Sequence, residues 1–216
     1  MLKTIVIYVS IVVQENNIST FACRLATNYY FHRMDKPLRI LGIDPGTTVT
    51  GYGLVEVRDK KPVILHMGNI TPKRYSDHYM RLKYLHERAL HLVKEYRPDV
   101  MAIEAPFYGK NVQSMLKLGR GQGVLMAAAL MFDVPIHEYA PLLVKQAITG
   151  MGRASKEQVA YFLQKVYDLK DMDQVLDETD AVAVAICHFI QMNKPQKSKE
   201  YKNWGDFVKK NPGKVK

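Results

Sequence analysis

Cysteine is nearly absent from this chain: Cys23 and Cys187 are the only two in 216 residues. Neither has CxxC spacing, which excludes a disulfide scaffold and a Cys-rich zinc centre and fits a reducing cytosol. Histidine does not take over as a ligand set. His66, His78, His86, His91, His137 and His188 show no metal-ligand spacing, and His188 reads as a packed side chain. Membrane-length apolar runs are missing too. The stretch from Ile5 to Val13 behind Lys3 imitates a short signal peptide, but it is too short to span a bilayer as a helix, and no small-residue cleavage site follows cleanly. Acidic residues are in deficit, 21 against 31 Lys and Arg, for a net charge of +10 and a pI near 9.5. Such a surplus points to a polyanionic partner, nucleic acid or an anionic surface.

The surplus is uneven. Residues 191–216 hold eight lysines against Glu200 and Asp206. This tail reads both as a solvated end and as a basic arm for phosphates. Residues 1–36 differ in character from the rest of the chain. Met34 precedes Asp35-Lys36-Pro37 and a strong strand, so Met34 is expected to be the biological start, with 1–33 an upstream extension; a targeting segment is the rival. The expected organisation is therefore an extension over 1–36, one domain over 37–190 and a basic tail over 191–216.

Apolar periodicity within the domain predicts strands over Arg39–Ile43, Val49–Val57 and Pro62–Ile70, the last two joined by the polar turn Asp59-Lys60-Lys61. A helix over Ser76–Arg97 follows, ended by Pro98 and carrying Leu82, Leu85, Ala89, Leu92, Val93 and Tyr96 on one stripe. Then come a strand at Val100–Ile103, a helix over Val112–Phe132, a strand at Pro135–Tyr139, and helices over Leu142–Thr149, Ser155–Tyr167 and Thr179–Ile190. Ser155-Lys156-Glu157-Gln158 has capping-box spacing. The order βββαβαβαα plus a last helix implies an α/β fold, a mixed sheet covered by helices.

Four acidic residues stand where apolar runs meet a turn or a helix start: Asp44 in Leu41-Gly42-Ile43-Asp44-Pro45-Gly46, Glu104 after Val100-Met101-Ala102-Ile103, and Asp177 and Asp180 in Asp177-Glu178-Thr179-Asp180-Ala181. Singly, each has an ordinary role: a turn-forming Asp before Pro-Gly, a salt-bridge partner, or an N-cap. Together they make a different case. Carboxylates gathered at the end of a sheet repel one another unless a cation is present, and Mg²⁺ favours a few carboxylates plus phosphate oxygens. The set reads as a metal-dependent phosphoryl-transfer site. Two ions there would activate a water and stabilise the leaving oxygen. Lys145 and Lys156, each at or just inside a helix start, are placed to neutralise charge developing on phosphorus, although either is equally at home on a solvated helix face.

Ile40-Leu41-Gly42-Ile43-Asp44-Pro45-Gly46 with Thr50-Gly51-Tyr52-Gly53, then Ala102-Ile103-Glu104, Leu116-Lys117-Leu118-Gly119, Val144-Lys145-Gln146 and Asp177-x-x-Asp180-Ala181 resemble the RuvC Holliday-junction resolvases, in order and spacing, over residues 38–190. The resemblance implies a ribonuclease-H-like fold with a five-stranded sheet, an antiparallel meander plus parallel strands. It also implies a cytoplasmic homodimer that resolves four-way DNA junctions in homologous recombination and DNA repair by paired symmetric nicks. Asp44, Glu104, Asp177 and Asp180 fall on the family's catalytic, metal-holding acidic positions, for two Mg²⁺ per site with Mn²⁺ as a substitute. Lys145 and Lys156 match its basic residues near the active site, and Phe107 an aromatic that disturbs base stacking at the crossover. Lys110 and Lys117 join Phe107, Lys145 and Lys156 as DNA-binding residues. A branch-migration motor of the RuvA and RuvB type is an implied partner; a membrane is not.

Gly119, Gly121 and Gly123 lie inside a helical pattern, so they form no dinucleotide loop. The resemblance places that helix at the dimer contact, where Gly121→Leu is expected to weaken dimerisation. Three other functions use similar features. Gly42 to Thr48 looks like the first phosphate loop of actin and chaperone ATPases, but those need two such domains and this chain has length for one. A nuclease of the same fold acting on RNA–DNA hybrids or other branched DNA, and a non-catalytic junction-binding protein, differ from a resolvase in what they cut.

Overall fold

The computed structural model describes residues 36–46, 48–106, 111–167, 176–194, 205, 208 and 209, with the backbone alone at Leu176 and Asp177. The N-terminal extension through residue 35 and nearly all of the basic tail lie outside the described residues. Five strands form one sheet: β1 (Leu38–Asp44), β2 (Thr50–Arg58), β3 (Lys61–Ile70), β4 (Val100–Glu104) and β5 (Ile136–Tyr139). The helices are α1 (His78–Tyr96), α2 (Val112–Leu130), α3 (Pro141–Thr149), α4 (Lys156–Tyr167) and α5 (Leu176–Met192), with a 3-10 turn at Pro72–Arg74.

The sheet order is β3-β2-β1-β4-β5. β1, β2 and β3 form the antiparallel meander, and β4 and β5 run parallel to β1. Asp59 and Lys60 make the turn between β2 and β3, both at positive φ, between the paired residues Arg58 and Lys61. The sequence also contains the helix boundaries. Asp77 caps α1 by accepting from the Met80 amide at 2.8 Å, and Arg97 ends it in the left-handed region just before Pro98. The capping box at α4 is reciprocal: the Ser155 hydroxyl accepts from the Gln158 amide, and the Gln158 side chain accepts from the Ser155 amide.

Two cores flank the sheet. Leu41, Ile43, Met101 and Ile103 face α1 and α2. Ile40, Val55, Val100 and Ala102 face α3, α4 and α5. Helix α5 lies closest to the sheet, with Ala181 to Cys187 almost completely buried. Its small residues allow that approach, and so does the strand beneath. A Cβ on Gly42 would stand 2.1 Å from the Ala181 carbonyl oxygen, and one on Gly53 would stand 2.6 Å from Val182. Only glycine permits such contact between strand backbone and helix backbone.

Gly121 is not on the outer face of α2, where the dimer expectation put it. It is buried against α1, with Leu85 as its neighbour. Gly119 and Gly123 are the glycines that face open space, in a stripe with exposed Val112, Leu116, Ala127 and Leu130. The physical reason is helical phase: positions 119 and 123 share a face with 112, 116, 127 and 130, and 121 lies opposite.

Candidate active site

Parallel pairing of β1 with β4 sets Ile43 opposite Ile103. The next residues, Asp44 and Glu104, therefore end neighbouring strands at one sheet edge. Side chains alternate along a strand, so Asp44 and Glu104 share the face of Ile40 and Ala102, the one covered by α5. The Gly42 contact brings the first turns of α5 to the same place. Asp180 stands there, mostly buried, with its Oδ2 2.5 Å from the Lys156 Nζ on α4. Thr179 is fully buried beside it, and Glu178 accepts a 3.0 Å hydrogen bond from Asn69 on β3.

Electrostatics tie the group together. Burial, then the Asp44 charge, then the Asp180 charge push the Glu104 carboxyl up to about 7, and Lys156 and Lys145 oppose the rise. Two acids and two lysines thus act on the Glu104 carboxyl, although Asp44 and Glu104 are sixty residues apart in sequence. Asp177 lies three residues before Asp180 in α5, and its side chain is outside the described residues. Phe107 and Lys110 are outside them as well. Lys117 is described, but it sits on α2 in the other layer, away from this pocket.

Among the described residues no three acidic, histidine or cysteine side chains close into a ligand cage. The Lys156 ammonium pairs with Asp180 at the rim of this set. The donor set still fits a hard divalent ion. It consists of carboxylate oxygens, it is partly buried, and burial together with the neighbouring acidic charges raises the Glu104 carboxyl to about 7, a rise that a bound cation would oppose. The histidines do not join in. His188 is buried, hydrogen-bonded to the Tyr139 hydroxyl at 2.7 Å, and burial with the neighbouring His137 drives it down to about 4, so it is a neutral packed residue.

One contributor is absent from the sequence reading. Gln122, buried on α2, donates 3.3 Å hydrogen bonds to the Glu104 carbonyl and to the Glu138 carboxylate, pinning the end of β4. Its signal in the sequence was a lone amide between glycines in an apolar helix.

The family model for crossover junction endodeoxyribonuclease RuvC matches residues 40–188. The chain belongs to the RuvC family. RuvC of Bacteroides fragilis is 55% identical over 179 residues, 82% of this chain and 95% of the relative. RuvC of Porphyromonas gingivalis is 52% identical, over 82% of this chain and 96% of its own. Among solved structures, Thermus thermophilus RuvC in complex with a Holliday junction substrate superposes with a TM-score of 0.67 at 31% identity, covering 72% of this chain and 94% of that one. The RuvC relationship makes this chain a nuclease with a ribonuclease-H-like fold. Among the described residues no helix is long and apolar enough to cross a membrane.

Proposed function

We propose that Asp44, Glu104, Asp177 and Asp180 form the hydrolytic site with which this chain resolves four-way DNA junctions. The convergence of Asp44, Glu104 and Asp180 at one sheet edge carries this reading. RuvC enzymes are metal-dependent nucleases, and the hard oxygen donors here favour two Mg²⁺ ions, with Mn²⁺ as a substitute. When bound, the ions supply an activated water and charge stabilisation for an in-line displacement. The chain's own residues do the rest. The sheet holds Asp44 and Glu104 as neighbours, α5 brings Asp180 to the same sheet edge, and partial burial limits water. Lys156, tethered to Asp180, and Lys145, on α3, place positive charge where the non-bridging phosphate oxygens gain charge in the transition state. Phe107 and Lys110, in the β4–α2 connection, are assigned to the crossover strands.

The exposed apolar stripe on α2, flat at Gly119 and Gly123, fits a second copy of the chain. A two-fold dimer presents two sites to a two-fold junction, which gives paired symmetric nicks. The cytoplasm and a branch-migration motor of the RuvA and RuvB type complete the setting. The test is cleavage of a four-way junction against a linear duplex and an RNA–DNA hybrid, with and without Mg²⁺, with both nicks mapped. Symmetric nicks in the junction alone are expected. Equal cutting of the hybrid, or ATP hydrolysis without nicking, would overturn the assignment.

A further inference from the structure

On the opposite layer of the same sheet edge lies a second feature. The loop that leaves Asp44 runs through Gly46 and Thr48, and these two residues form one wall of a cleft of about 250 Å³. The first turns of α1 and α2 form the others. α1 supplies His78 and Arg81; α2 supplies Ser114 and Lys117. Both helices begin at this edge because β3 and β4, which precede them, run parallel to β1.

The chemistry of the lining is one-sided. The two basic side chains Arg81 and Lys117 and the three small polar residues Thr48, Ser76 and Ser114 line the space, and among the described residues no carboxylate does. The nearby Asp77 carboxylate is engaged in capping α1. The Arg81 Nε donates to the Tyr75 carbonyl at 2.6 Å, which anchors the guanidinium at the wall. Position decides what would fill the cleft. Gly46 is two residues from Asp44, so the cleft begins at most about 7 Å of chain from the Asp44 backbone.

We propose that this cleft takes a phosphodiester group of the strand being cut, close along the backbone from the scissile one, held by Arg81 and Lys117 with Ser114 as a hydrogen-bonding partner. The inference rests on the junction-cutting function above and adds a grip to it. Because the contacts go to phosphate oxygens, the cleft fixes strand position without reading sequence. It also gives α2 two jobs on opposite faces, since Ser114 and Lys117 point away from the stripe that contains Val112, Leu116, Gly119 and Gly123.

The test compares the full-length protein with Arg81→Gln, Lys117→Gln and the double variant, using Lys61→Gln at the far end of the sheet as a control. Junction binding is measured against salt concentration. Each cleft substitution is expected to lower the slope of log K against log salt by about one, and the control to leave it unchanged. A methylphosphonate is then placed at each phosphate within three nucleotides of the nick. At one neighbouring position the parent is expected to lose about tenfold in affinity, and the double variant to lose nothing further. Lys117 is exposed, so Lys117→Gln keeps the test valid if Arg81→Gln fails to fold. Parental slopes in the variants, or equal methylphosphonate losses in parent and double variant, overturn the inference. Binding is read separately from cutting, so a parent that binds without nicking sinks the catalytic reading while the slopes still decide the cleft.

Discussion

Glu104 is the side chain whose behaviour is most distinctive. Its folded carboxyl titrates near 7, against a reference value of 4.5. Between those values the folded chain holds a proton that the unfolded chain releases. The resulting stability is complete below the unfolded value and is lost as pH rises through 7. In chelator, the thermal midpoint is therefore expected to fall between pH 5 and 8, and Glu104→Gln to flatten that slope. His188 acts in the opposite sense, since its lowered value costs stability as pH falls below 6.5; comparing variant with parent isolates Glu104. Divalent metal needs the ionised carboxylate, so metal should bind more tightly as pH rises through the same range. Asp44→Asn is expected to retain junction binding and to lower the cleavage rate by about 100-fold or more. An equal loss of binding, measured by gel shift, would make Asp44 a structural residue.

At the scale of elements, the closeness of α5 to β1 is the feature that assembles the site. Gly42→Val would push a branched side chain into the Ala181 carbonyl. A loss of about 3 kcal/mol or more is expected in denaturant titration, together with loss of cleavage. Most elements were legible in the sequence, because their apolar periods are clean and their ends carry Pro98 and the Ser155 capping box. The strand-end positions of Asp44 and Glu104 were legible for the same reason. Neighbourhood was not, because the pairing of β1 with β4 depends on burial on both sheet faces and not on any local pattern. The facing of Gly121 was misjudged on similar grounds: three glycines at spacing two cannot share one side of a helix, and only packing selects which side is inner. Gly119→Leu should accordingly leave the thermal midpoint of the fold unchanged and weaken self-association in sedimentation, whereas Gly121→Leu should destabilise the fold itself.

At the scale of the whole molecule, positive charge is the leading property. With a net charge of +10, junction affinity is expected to fall steeply as salt rises, by several orders of magnitude between about 50 and 200 mM if six or more phosphates are contacted. A slope near zero in a filter-binding series would refute phosphate-led recognition. The placement of Asp44 beside Glu104, in contrast, is set by backbone pairing, because β1 and β4 belong to one continuous hydrogen-bonded ladder. If β4 slid by a single residue, the Glu104 carboxylate would turn toward α1 and α2, and Ala105 would stand beside Asp44. A chain that has mispaired its central strands therefore carries no working blade. Cutting by this nuclease is thereby made conditional on correct pairing of its central strands.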